Sequence, residues 1–211
     1  MPFTHDPKPQ IRLTEANYAD GVGEAVAGTD PVAISAILFD QDGDTPNSAG
    51  LSNMFVAWGQ FLDHDITLSL ENHAEVLTAD GLVAPLARSI YEIDEDGARV
   101  PTNAITWQID GSQVYGSSPE RTADLRSFEG GKLRMSDDPA SDDGLMPLAD
   151  PDSFMAGDIS SPDPVFLGGD IRANENPALA SMHTVMVREH NYWAERLAEE
   201  HPDWTDDQLF D

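Results

Sequence analysis

Gln60, Asp63, His64 and Asp65 close the run Trp58-Gly59-Gln60-Phe61-Leu62-Asp63-His64-Asp65, and their types suit acid–base chemistry. A neutral imidazole accepts a proton from one atom of a substrate and returns it to another, so His64 can act as base and then as acid. Asp63 and Asp65 flank it and point in different directions on a helix, which lets them serve separate partners. A lone histidine in an apolar setting is more often structural. The amide and the two carboxylates around His64 shift that balance.

Two further segments carry chemistry. Gly168-Gly169-Asp170-Ile171-Arg172-Ala173-Asn174-Glu175-Asn176-Pro177 leads from a glycine turn into a long helix. Its bland interpretation is a helix-start carboxylate, Glu175, and a surface arginine, Arg172. As a site, Arg172 offers a fixed positive charge that polarises a bound substrate and stabilises negative charge on a leaving group. Thr106-Trp107-Gln108-Ile109-Asp110-Gly111-Ser112 presents a hydroxyl, a carbonyl, a carboxylate and a hydroxyl at alternate positions. Hard oxygens of this kind suit Ca²⁺, and Asp65 can add a carboxylate. An exposed strand alternates in the same way, so the spacing alone is a weak signal.

These groups need elements to position them. Leu51, Met54, Phe55, Trp58 and Leu62 recur at helical spacing, which predicts a helix over 51–63 with Ser52 as its cap. If that helix runs on through His64, Gln60 and His64 share a face. Pro119 to Phe128 reads as a short helix capped by Ser118. Pro177 to Glu200 reads as a long helix with a stripe of Leu179, Met182, Met186, Trp193 and Leu197. Trp204 and Leu209 suggest a further helix. Residues 1–50 read as mostly irregular, although the apolar run Ala33 to Phe39 fits a turn of helix or a strand. Residues 72–104 are ambiguous apart from a turn at Asp94 to Gly97. Residues 129–168, rich in Gly, Asp, Ser and Pro, read as a long loop with little packed structure.

Composition narrows the partners. The 211 residues fit one ordinary domain, and an apolar fraction of 40% can build a core. Eleven basic residues against 39 acidic ones give a net charge of −28. Such a surface repels phosphate backbones and anionic lipid headgroups, which argues against nucleic-acid binding and membrane association. Most of these carboxylates read as solvated surface; the functional alternative is cation binding. There is no cysteine, so disulfides, Fe–S clusters and thiolate sites are excluded. No stretch is long and apolar enough to insert in a membrane, and Met1 to Gln10 has no apolar signal-peptide core. Asp40-Gln41-Asp42-Gly43-Asp44 fails as an EF-hand because Leu51 stands where the bidentate glutamate belongs. His183 and His190 lie two helical turns apart, but no HExxH pattern supports a zinc site.

The three segments lie in order with several others: Tyr18-Ala19-Asp20-Gly21, Asp40-Gln41-Asp42, Pro46-Asn47-Ser48, Asp110-Gly111-Ser112-Gln113-Val114-Tyr115-Gly116-Ser117, and a helix carrying His183-Thr184 and Arg188-Glu189-His190-Asn191. Together they resemble the animal haem peroxidase family, including its bacterial peroxidasin-like members, from about residue 11 to the end. The resemblance implies a mainly α, animal haem-peroxidase-like helical fold with long loops. Residues 1–211 would form the N-terminal, distal part of a single domain whose proximal half is absent. It implies haem b as cofactor, hydrogen peroxide as oxidant and a small organic donor or halide as reductant.

The same resemblance implies roles by position. His64 matches the distal histidine, Arg172 the distal arginine, and Gln60 the glutamine that hydrogen-bonds distal water or halide. Asp63 and Glu175 match carboxylates that can form ester links to haem methyl groups. Asp65, Thr106, Gln108, Asp110 and Ser112 match a calcium loop, in which Gln108 replaces the usual aromatic but ligates through its backbone carbonyl. Asn176 stands where some members carry a haem-linked methionine, so no sulfonium link is expected. The iron's proximal histidine is expected beyond Asp211. His183 and His190 match structural positions, and His5, His73 and His201 match no ligand position. The 211-residue piece is therefore expected to be inactive alone, and family and acidity together imply an extracellular protein. A rival interpretation is a non-catalytic, calcium-stabilised binding or adhesion module of the same fold. Acidity and the missing proximal ligand favour it; the presence together of Gln60, His64 and Arg172 opposes it.

Overall fold

A computed structural model describes residues 7–77, 86–137, 144–150, 152–156 and 165–211. In chain order its elements are β1 (Lys8–Pro9), α1 (Pro31–Phe39), α2 (Met54–Ile66), β2 (Glu71–Leu77), β3 (Leu86–Ser89), β4 (Tyr91–Ile93), β5 (Arg99–Asn103), α3 (Ser112–Tyr115), α4 (Pro119–Leu125), α5 (Pro177–Glu200) and α6 (Asp206–Phe210). The fold is mostly helical with two small sheets. The chain forms two compact units, one of residues 6–51 and 68–104, the other built mainly from residues 52–67 and 105–211.

The first unit holds both sheets, with strand orders β1-β5-β4 and β2-β3, all antiparallel. The turn expected at Asp94 to Gly97 joins β4 to β5: Asp94 Oδ1 accepts the backbone N–H groups of Asp96 and Ala98, and Gly97 takes φ +83°. The run Ala33 to Phe39 is helical, as part of α1. His5 lies outside the described residues.

The second unit holds the candidate site. Its core joins Phe61 of α2, Val114 of α3, Leu125 of α4 and Leu179 and Val187 of α5 to Leu133, Met146, Met155, Leu167 and Ala173 from the connecting segments. Residues 129–168 are largely irregular, as their Gly, Asp and Pro content predicts, but the expectation of little packed structure is wrong for the described part. Leu133, Met146 and Leu167 are buried. Their apolar side chains anchor the loop while the Arg126–Leu133 and Leu148–Phe166 bridges tie its backbone.

Helix boundaries follow local chemistry in part. Ser118 caps α4 by accepting the Arg121 N–H, with Pro119 in the first turn, as expected. Pro177 occupies the first turn of α5, and Asn176 accepts the Leu179 N–H. Thr205 and Gln208 form a reciprocal capping box on α6. α2 departs from expectation: it starts at Met54 rather than Leu51, and Asn53, not Ser52, precedes it without a side-chain cap. Its inward face carries Ala57, Phe61, His64 and Asp65, whereas Met54, Phe55 and Trp58 are exposed. Two polar residues displace part of the apolar stripe because neighbouring segments supply them with polar company. The stripe of α5 is corrected likewise: Leu179 is buried, but so are His183, Thr184, Val187 and Ala194, while Trp193 is exposed.

His183 is a buried histidine of α5 packed edge-on against Phe61, ring centroids 5.0 Å apart. Burial pushes its imidazole down from 6.5 to about 4, and the Asp170 charge only partly opposes this. The lowered value means that the unfolded chain binds more protons than the folded one between these two pH values. Stability is full above pH 6.5 and falls as the pH drops towards 4, by about 3 kcal/mol in all. Denaturation midpoints measured across this window should show the loss, and His183→Phe should flatten it. An unchanged slope in the variant would assign the acid sensitivity to other groups.

Candidate functional site

α2 runs through His64 to Ile66, so Gln60 and His64 do share a face. His64 lies 3% exposed at the helix's last turn. Its two ring nitrogens meet different surroundings. Nδ1 lies 3.9 Å from Asp170 Oδ1 and has no hydrogen-bond partner among the described residues. Nε2 lies 3.8 Å from Glu175 Oε2. The Asp170 side chain is 1% exposed, the Glu175 side chain 45%. Nδ1 therefore faces the interior, and Nε2 faces the more open side. Burial lowers the basicity of His64 most, the Arg172 charge adds to this, and Asp170, Glu175 and Asp63 oppose it. The net direction is downward, which keeps the ring neutral and able to accept a proton.

Residues 168–176 reach this histidine by close backbone docking. A Cβ on Gly169 would stand 2.6 Å from the Gln113 carbonyl oxygen and 2.7 Å from the Gly116 nitrogen, so only glycine fits against α3. The Asp170 N–H donates to the Gln113 carbonyl at 2.9 Å. Asp170 Oδ1 then accepts the Arg172 backbone N–H at 2.8 Å, a local turn that folds the arginine back on the aspartate. Arg172 donates from Nε to Asp170 Oδ1 and from Nη2 to Asp170 Oδ2, both at 2.9 Å, and from Nη2 to the Thr67 carbonyl at 2.8 Å. Its Nη1 lies 4.0 Å from Asp63 Oδ2. Arg172 is therefore no loose surface arginine: its side chain is 14% exposed and fixed by three hydrogen bonds.

Gln60 joins the two walls. It donates from Nε2 to Glu175 Oε2 at 2.6 Å and accepts from Asn176 Nδ2 at 2.8 Å. Asn176 holds Gln60 with its amide nitrogen while its oxygen caps α5. Gln60, Asp63, His64, Arg172 and Glu175 are thus brought together, although 115 residues separate Gln60 from Glu175.

The segment 106–112 is not the alternating strand its pattern suggests. It is an irregular loop that turns at Gly111, φ +77°, into α3. Its oxygens converge by that turn rather than by pleating. Thr106 Oγ1 donates to Asp110 Oδ1 at 3.1 Å and stands 3.0 Å from Ser112 Oγ. Ser112 Oγ lies 3.2 Å from Asp65 Oδ1, and the Gly111 N–H lies 3.3 Å from Asp65 Oδ2. Asp65 is only 1% exposed, yet these donors are neutral and long, and among the described residues no Lys, Arg or His lies in ion-pair range of it. Asp65 and Asp110 are the two carboxylates of this cluster, and among the described residues no group of three or more His, Cys, Asp or Glu side chains is placed to hold a metal ion. Gln108 is exposed in the loop and outside this hydrogen-bonded set.

The family model for animal haem peroxidases matches residues 5–211. The chain belongs to the animal haem peroxidase family. Among curated relatives, peroxinectin A of Dictyostelium discoideum is 32% identical over 84% of the chain and 38% of that protein. Dual oxidase 1 of Caenorhabditis elegans is 31% identical over 94% of the chain and 15% of that protein. Among solved structures, peroxidase A of Dictyostelium discoideum superposes with a TM-score of 0.80 at 30% identity, covering 97% of the chain and 45% of that one. A fatty acid alpha-dioxygenase of Oryza sativa superposes with a TM-score of 0.66 at 27% identity over 86% of the chain and 28% of that one. The chain spans less than half the length of each of these proteins. Membership of the family implies a haem cofactor. No helix among the described residues is long and apolar enough to cross a membrane.

Sequence reasoning missed Asp170, which lies beside His64 and holds Arg172. One local signal was available. An aspartate two residues before an arginine can accept that residue's backbone N–H and so turn the chain back on itself. Gln113, buried beneath the site and donating to the Phe61 carbonyl at 3.3 Å, carried no signal in its type or spacing.

Proposed function

We propose that residues 1–211 are the distal part of a single haem peroxidase domain, which reduces hydrogen peroxide and oxidises a small organic donor or halide. The observation that carries this conclusion is a buried His64, its basicity lowered by burial, whose Nε2 faces the open side beside a clamped Arg172. His64 takes a proton from one peroxide oxygen and delivers it to the other, which leaves as water. Arg172 draws off the negative charge that gathers on the departing oxygen. Gln60 orients water or halide beside His64. When bound, haem supplies the electrons that break the O–O bond.

The residues present suit that cofactor. Asp63 and Glu175 carry the outward carboxylates of the site, 56% and 45% exposed, on either side of buried His64, and would hold haem edges, with ester bonds as their covalent form. Asn176, which has no sulfur, engages Gln60 and the α5 terminus and offers no sulfonium link. Reconstitution of the full-length protein with haemin tests the function: a Soret band and peroxide-dependent oxidation of a phenol are expected. Absence of haem uptake would leave the non-catalytic module as the better account. The acidic surface and family make the protein extracellular in this proposal, with no nucleic-acid partner.

Ca²⁺ is the proposed occupant of the loop, held by Asp65, Thr106, Asp110 and Ser112 side chains with the Gln108 carbonyl. Binding to the folded state alone contributes about 3 kcal/mol at a hundredfold excess over Kd, which raises Tm by several degrees. Chelation should therefore lower Tm, and Asp65→Ala should abolish the difference between calcium-loaded and chelated protein. Identical melting of the wild type with and without chelator would dismiss the metal.

A further inference from the structure

Asp170 is a buried carboxylate of the site, its side chain 1% exposed, and neither the acid–base step nor the haem edge uses it. Its two oxygens receive two different nitrogens of one guanidinium, Nε and Nη2, each at 2.9 Å. This bidentate fork fixes the plane of the guanidinium as well as its position, which a single hydrogen bond would not. The second hydrogen on Nη2 goes to the Thr67 carbonyl at 2.8 Å. Nε and Nη2 are then fully used. Nη1 is left, turned towards Asp63 Oδ2 at 4.0 Å, and no hydrogen bond engages it among the described residues. Asp170 is itself held from behind, since its N–H donates to the Gln113 carbonyl and the glycine pair before it leaves no room to shift.

We propose that Asp170 is the positioning residue of the peroxidase site, locking the Arg172 guanidinium so that Nη1 is the nitrogen presented to the reacting oxygens. The inference rests on the role given above to Arg172. Without the fork, a long side chain regains rotamer freedom, and its charge is spread over several positions. Preorganised donors stabilise developing charge because no reorganisation is needed at the moment of reaction; an unlocked arginine loses that advantage. Asp170 touches neither peroxide nor haem in this account. Its effect passes through Arg172.

Fluoride binding to the haem-loaded, full-length ferric protein reads the orientation of the donor without turnover. Asp170→Asn should weaken fluoride affinity by about tenfold, the scale of one hydrogen bond to a charged group, with the Soret band and haem content unchanged. Arg172→Gln should weaken it at least as much. The double variant should bind fluoride like Arg172→Gln alone, because Asp170 then has no arginine to position. Two results would overturn the inference: unchanged affinity in Asp170→Asn, or a penalty in the double variant equal to the sum of the singles. If Arg172→Gln itself binds fluoride normally, the role of Arg172 falls, and this inference with it. Should Asp170→Asn not fold, Asp170→Glu answers the same question. It keeps the charge but displaces the fork by a methylene, so fluoride affinity drops if the fork matters and stays unchanged if it does not.

Discussion

Replacing His64 by alanine is expected to slow the reaction of the haem-loaded, full-length protein with hydrogen peroxide by about a hundred- to ten-thousand-fold. The ring is the one neutral proton acceptor in the cluster. Gln60 cannot take a proton, Arg172 does not release one, and Glu175 accepts the Gln60 amide at 2.6 Å. Asp170 cannot replace it, because it is turned inward and occupied by the guanidinium. The variant should still fold. Nδ1 makes no hydrogen bond among the described residues, so truncation removes packing rather than a polar partner. Stopped-flow absorbance of the Soret region after mixing with peroxide gives the rate. An undiminished rate in His64→Ala would remove His64 from the chemistry, whatever its burial.

The largest effect on stability is expected from Arg172→Ala. Breaking a buried ion pair from one side costs about 3–5 kcal/mol, since the partner charge stays behind in a poor solvent. The partner here is Asp170, with a side chain only 1% exposed. It would keep the Arg172 backbone N–H, which alanine retains, but would lose the donors at both oxygens that the guanidinium supplied. The reaction with peroxide should fall too, by about a hundred- to a thousandfold, as for the loss of one preorganised donor. Adding Asp170→Asn to Arg172→Ala should restore part of the stability by removing the stranded charge, and none of the reactivity. Urea denaturation of the three proteins checks this. Equal midpoints for wild type and Arg172→Ala would mean that the pair contributes nothing net. Recovery of reactivity in the double variant would contradict the assignment of charge stabilisation to Arg172.

The residue types of the site and their order along the chain were legible without any structure. Local rules also placed several elements: Ser118 before Pro119, Pro177 at the head of α5, and the turn at Asp94 to Gly97. These succeed because caps and turns depend on a few neighbouring residues. Local rules fail where packing decides the outcome. The helical spacing in α2 groups Met54, Phe55 and Trp58 into an apolar stripe, yet all three are exposed. Composition makes 129–168 an unpacked loop, although Leu133, Met146 and Leu167 are buried. Alternation over 106–112 does not tell a strand from a loop, because it is common to strands and to loops that wrap oxygens around a point.

The family, the cluster at Gln60 to Asp65 and an arginine with a nearby glutamate are all legible in the order of residues. What these groups face is fixed by long-range packing. His64 has one nitrogen inward and one outward because segments more than a hundred residues away supply Asp170 and Glu175. Arg172 is fixed because the backbone beside Gly169 docks on α3 and carries Asp170 in with it. Asp65 is buried among oxygens because Gly111 turns the loop back on α2. Side-chain identity is a local property. Burial, charge pairing and the direction of a donor are sums over neighbours that long-range folding brings together.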